Sequence, residues 1–93
     1  MIIVWLSRAV ANRDALFDYI AQENPFAAIE QDEQIARQVT QLAQHPELGR
    51  TGRKQGTREL VISRTSFIVI YRIKPKVKRI EILRVLHSSQ QWP

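Results

Sequence analysis

Residues 58–93 read RELVISRTSFIVIYRIKPKVKRIEILRVLHSSQQWP, and the fold turns on how this run is divided. At its centre, residues 66–73 (SFIVIYRI) are apolar in both alternating sets. Phe67, Val69, Tyr71 and Ile73 form one set, Ile68 and Ile70 the other. A strand apolar on both sides belongs in the middle of a sheet. The flanking runs supply its neighbours. Residues 58–63 set Leu60 and Ile62 against Glu59, Val61 and Ser63. Residues 78–86 set Ile80, Ile82, Arg84 and Leu86 on one face and Leu83 and Val85 on the other, with His87 following on that second face. Residues 63–66 are compact enough for a hairpin turn, and Lys74-Pro75-Lys76 makes the next.

Everything before this run reads as cover for the sheet. Residues 2–6 (IIVWL) are expected as a short buried strand, joining the sheet at an edge or beside the last strand. Ser7 is placed to cap a helix over residues 9–22, with Val10, Phe17 and Ile20 sharing a face and Leu16 on its flank. Arg13 and Asp14 interrupt that stripe. Asn24-Pro25 suits the cap and first position of a second helix reaching about residue 44. Ala28, Ile35, Val39 and Leu42 give it one apolar stripe, and His45-Pro46 stops it. The order is β-α-α-β-β-β: one α+β domain spanning residues 1–93, a helical hairpin packed on a small antiparallel sheet.

The chain has 93 residues, 44% hydrophobic and 25% charged, which fits a single folded domain and not a disordered chain. It has no cysteine and two histidines, so disulfides and thiolate metal sites are excluded and no metal or cofactor is expected. No apolar run approaches the roughly 18 residues of a membrane span. Residues 1–6 are too short for a signal peptide and lack a basic leader; the absence of cysteine fits a cytoplasmic protein. Charge is split along the chain. Residues 1–48 hold three Arg/Lys against seven Asp/Glu, net −4; residues 49–93 hold eleven against two, net +9. That split suggests a polyanion or an acidic protein as partner; the plain alternative is a solvated strand face. The loop 47–57 (ELGRTGRKQGT) carries all three glycines with Arg50, Arg53 and Lys54. It lacks the GxxxxGK[ST] phosphate-loop pattern, and reads either as a phosphate-contacting loop or as a connector.

The series as a whole resembles the RelE/ParE superfamily of type II toxin–antitoxin systems, and the ParE-like branch more closely. The resemblance spans essentially the whole chain. It is carried by the strand and helix pair, HPELGR at 45–50, GTRELV at 56–61, IYRI at 70–73, LRVLH at 83–87 and QWP at 91–93. It implies a bacterial, cytoplasmic toxin that arrests growth and is wrapped by a cognate antitoxin in a hetero-oligomer. Two targets follow from it. ParE-like members inhibit DNA gyrase by binding, without catalysis; RelE-like members cleave messenger RNA, usually on the ribosome. The ending RVLHSSQQWP points to the ParE side.

The side chains admit both. Metal-free RNA cleavage needs a proton acceptor, a cation at the phosphorane-like transition state and an acid for the leaving oxygen. Arg58 and Arg84 are the candidate cations and His87 the candidate proton shuttle. Each also has a structural reading. Arg58 can pair with Asp14 or Asp18, Arg84 can be a rim residue, and His87 can be a hydrogen-bonding structural histidine. Lysine clusters and a late tyrosine, which RelE-like nucleases often carry, are replaced here by Lys54 alone and by Trp92. Arg50, Arg53, Lys54, Arg72 and Trp92 are the candidates for target or nucleic-acid contact, with Trp92 serving either as packing anchor or as a base-stacking ring.

Overall fold

A computed structural model describes all residues, 1–93. It comprises β1 (Ile2–Trp5), α1 (Ser7–Ala21), α2 (Pro25–Thr40), β2 (Arg50–Thr51), β3 (Arg58–Val61), β4 (Phe67–Lys74) and β5 (Arg79–His87), with short 3-10 turns at Gln41–Ala43 and Pro75–Val77. The sheet order is β1-β5-β4-β3-β2. The two-faced strand β4 sits at its centre, as its composition requires. No helix is long and apolar enough to cross a membrane.

The sheet is mixed. Strands β3, β4 and β5 alternate in direction because tight turns join them, but β1 lies parallel to β5, at the edge and beside the last strand. The helical hairpin and most of the sheet separate β1 from β5 in sequence, and a long connection permits parallel pairing. The two-residue strand β2, unforeseen in the sequence, folds out of the glycine-rich loop and pairs with Arg58 and Glu59.

Asn24 caps α2 as expected, its Oδ1 accepting from the Ala27 N–H at 3.1 Å. Ser7 does not cap α1. Leu6 holds the cap position, and its N–H donates to Ile82 O of the sheet at 3.1 Å, because the chain leaves β1 still hydrogen-bonded to β5. The buried face of α1 also differs from the expected stripe. Ala9, Leu16 and Ile20 pack on the core, while Val10 is 42% exposed. The interrupting Arg13 explains this. It makes a two-point bond to Asp32 of α2 (2.6 and 2.9 Å) and lies over the Trp5 ring at 4.9 Å, so the face turned inward is the one that carries Arg13.

The inner core joins Ala9, Ile35, Val39 and Leu42 of the helical layer to Leu60, Ile62, Phe67, Val69, Tyr71, Ile80, Ile82 and Val85 of the sheet. The opposite face holds a smaller cluster, Ile68, Ile70 and Leu86, against which Leu83 and Trp92 pack. A β-bulge divides β5. Ile70 pairs with Arg84 but Tyr71 pairs with Ile82, leaving Leu83 as the extra residue. Beyond it the facing parity reverses. Leu86 and Arg84 therefore lie on the outer face and Val85 on the inner one, contrary to the uninterrupted alternation.

Tyr71 fastens the loop after α2 to the sheet. Its hydroxyl donates to Pro46 O at 2.6 Å and accepts from the Gly49 N–H at 2.9 Å. Burial pushes the phenol up from its usual range, outweighing the Gly49 hydrogen bond and the nearby Arg58 charge, so it keeps the proton that the bond to Pro46 O requires. A Cβ at Gly49 would come within 2.7 Å of the Tyr71 ring, so only glycine fits there. Removing the hydroxyl leaves a buried N–H and a carbonyl without partners. Tyr71→Phe is therefore expected to lower unfolding free energy by about 1–3 kcal/mol in urea titration, and an unchanged midpoint would show that the latch contributes nothing.

Candidate target-binding face

The three residues nominated for ribonuclease chemistry lie in three places. Arg58 faces the helical side beside Tyr71. Its Nη1 donates to Gly49 O at 2.6 Å, so it ties down the loop and does not reach Asp14 or Asp18. Arg84 lies on the opposite face, its Nε donating to Asn12 Oδ1 at 2.9 Å and its guanidinium 5.5 Å above the Trp92 ring. Burial, with the neighbouring Arg8 charge, lowers its pKa. His87 is on the helical side at the far end of the sheet, opposite Phe67 and edge-on to its ring at 6.3 Å. His87 Nδ1 lies 3.1 Å from the Ser89 backbone N–H and 2.7 Å from Ser89 Oγ, so the short tail after β5 folds back on the ring. Arg58 pairs with Tyr71 and His87 with Phe67, four residues along β4. That separation is roughly 13 Å along the strand, before the lateral offset is added. One phosphate cannot touch all three. No group of three or more His, Asp or Glu side chains is gathered that would hold a metal ion.

The residues nominated for target contact behave differently. The two glutamates of the basic half both fall on the outer sheet face, and both are buried, Glu59 to 1% and Glu81 to 6% exposure. Glu59 accepts from Arg50 Nη2 at 3.0 Å and from the Arg53 backbone N–H at 3.0 Å, with Arg53 Nε at 3.3 Å. Glu81 accepts from Arg72 Nε at 2.6 Å and pairs with Arg79 Nη2 at 2.8 Å. Each carboxylate thus anchors two arginines. The arginine side chains remain between 41% and 56% exposed. Arg50, Arg53 and Arg72 are brought onto one face; Arg79 joins them, although the sequence reading missed it. The available signal was the presence of only two acidic residues among eleven cations in residues 49–93.

Lys54 stands apart, exposed in the turn where its carbonyl accepts from Thr57 Oγ1 at 2.6 Å. Trp92 is a packing anchor on Ile68, Ile70 and Leu86, with its Nε1 buried and unpartnered.

Both carboxyls sit below the usual carboxylate range. For Glu59, burial is the largest single influence and acts upward, but the Arg53 N–H, the Arg50 hydrogen bond and both arginine charges together overcome it. For Glu81 the Arg72 hydrogen bond dominates. Folding therefore binds fewer protons at these sites than the unfolded chain does, and their stabilisation is present above the ordinary carboxylate pKa and lost as pH falls through the lowered values. Resistance to urea unfolding is expected to decline as pH falls below about 4.5, the ordinary glutamate range. Glu59→Gln should be destabilised at neutral pH and should flatten that decline; an identical pH profile in the variant would exclude Glu59 as a source.

A family model described as the ParE toxin of the type II toxin–antitoxin system parDE matches residues 3–92. A Sinorhizobium fredii protein described as a candidate toxin, Y4kP, is 41% identical over 91 residues, covering 98% of this chain and 92% of its own length. Toxin RelE2 of Caulobacter vibrioides is 31% identical over 88 residues, covering 95% and 96%. Among solved structures, a chain of the chromosomal ParDE toxin–antitoxin system of P. aeruginosa superposes with a TM-score of 0.83 at 30% identity, covering 94% of this chain and 95% of that one. The RelBE2 toxin–antitoxin complex of Mycobacterium tuberculosis shares the fold at a TM-score of 0.59 and 22% identity, covering 92% and 95%. Two helices on a sheet centred on β4, the HPELGR loop bolted to Tyr71, and a match across nearly the whole length agree: this chain belongs to the ParE toxin family of type II toxin–antitoxin systems.

Proposed function

We propose that this toxin arrests growth in the bacterial cytoplasm by binding DNA gyrase, and that a cognate antitoxin neutralises it. The observation that carries this reading over messenger-RNA cleavage is the dispersal of Arg58, Arg84 and His87. Arg58 is consumed by loop carbonyls, Arg84 by Asn12 and Trp92, and His87 by Phe67 and Ser89. General acid–base catalysis needs its groups within hydrogen-bond reach of the same reacting atoms, and here they occupy opposite faces and ends of the sheet. Inhibition by binding needs a surface only.

The antitoxin reading draws on relatives that come from ParDE and RelBE2 systems, and on surface suited to wrapping. Tyr19 and Phe26 on the helical hairpin are 74% and 84% exposed, offering apolar anchors to a segment that folds on contact.

Titrating purified gyrase with the toxin should abolish supercoiling, while messenger RNA in a ribosome-containing translation mixture should stay intact. Full supercoiling at saturating toxin would remove the gyrase reading. Loss of messenger RNA that depends on His87, absent in His87→Ala, would establish the ribonuclease in its place.

A further inference from the structure

We propose that the outer face of the sheet docks duplex DNA by its phosphate backbone, so that the toxin grips the nucleic acid on which its target enzyme works. The inference rests on the gyrase reading for its biological setting, but its evidence is the face itself. Four arginines are presented on it: Arg50 and Arg53 around Glu59, and Arg72 and Arg79 around Glu81. The two glutamates are buried beneath their partners, so the exposed layer is cationic. The acidic residues of the helical layer lie on the other side, giving the molecule a charge asymmetry that turns this face toward a polyanion.

The arginines are also held ready. A free arginine side chain loses about 2 kcal/mol of rotamer freedom on docking, whereas these four are already positioned by a carboxylate. Each bonds the glutamate through part of its guanidinium while the side chain stays about half exposed, and the fork geometry of arginine suits phosphate oxygens. Glu59 and Glu81 lie on β3 and β5, two strands apart, and their β4 partners Ile70 and Arg72 are two residues apart. Strand spacing and rise place the two arginine pairs roughly 12 Å from each other. Duplex DNA carries one charge per about 1.7 Å of axis, so a face of that breadth spans about seven phosphate charges.

The form of nucleic acid follows from what the face does not present. Single-strand binders offer aromatic rings on which bases stack. Trp92 is the one aromatic side chain here, and it is pressed onto Ile68, Ile70 and Leu86 with Arg84 above it. A sheet face of paired guanidiniums without a free stacking platform suits a duplex backbone, read without regard to sequence.

The test is fluorescence anisotropy of a labelled 20-base-pair duplex with the intact toxin across a salt series. Four phosphate-contacting arginines predict that log K falls against log salt with a slope of about −4. Arg79→Gln, which leaves Glu81 paired to Arg72, should make the slope shallower by about 1. The neutral set Arg72→Gln, Arg79→Gln and Glu81→Gln should make it shallower by about 2 and weaken binding at least about tenfold near 0.1 M salt. Arg37→Gln, on exposed helix surface, should change neither. A melt by circular dichroism checks that the triple variant folds; if it does not, the wild-type slope and Arg79→Gln decide alone. A wild-type slope shallower than about −2, no binding at low salt, or tighter binding of single-stranded RNA of equal length would overturn the proposal. Gyrase inhibition that persists at full strength in a toxin without duplex affinity would sink this inference and leave the gyrase reading standing. Duplex binding with unimpaired supercoiling would do the reverse.

Discussion

A central strand that is apolar on both sides must be covered on both sides, and the architecture follows from that requirement of β4. Phe67, Val69 and Tyr71 are buried on one face and Ile68 and Ile70 on the other, all at 6% exposure or less. The helical hairpin meets the first demand. The second has no such layer. It is met by Leu83, Leu86 and Trp92 alone, with arginine stems around them. The outer face is therefore thinly covered, and what lies on it is held by side-chain pairing.

That pairing is of an expensive kind. A carboxylate taken out of water is penalised heavily, and buried ion pairs are often no more stabilising than the apolar residues that would fill the same space. Glu59 and Glu81 nevertheless occupy the sheet face, each with two arginines. Their effect on stability is bound to pH, and their effect on geometry is to fix four guanidiniums that would otherwise sample many rotamers. An arrangement that orients cations toward solvent, at a cost to the core, is what a binding surface asks for and what a stability-optimised sheet does not.

The same logic decides what each basic side chain touches. A fold does not fix a reaction; the placement of a few side chains does. Here the bulge at Leu83 turns Arg84 to the outer face, the Tyr71 latch occupies Arg58, and the end of β5 leaves His87 against Phe67. Three residues that resemble a catalytic set in one dimension become three separate structural contacts in three.

The sequence by itself determined the order of every element except the two-residue β2, the two-faced central strand, the capped second helix with its Ala28, Ile35, Val39 and Leu42 stripe, and the family. These are encoded by period and punctuation within short windows, where local sterics and apolar spacing dominate. Only the tertiary structure decided the parallel docking of β1, the face of α1, the reversal beyond Leu83 and the company each charge keeps. Arg13 needed Asp32 from another helix before the buried side of α1 was set, and one extra residue in β5 reversed which side chains face the core. Charge pairing and strand register depend on groups distant in sequence, so no local pattern contains them; they exist once the sheet has closed around β4.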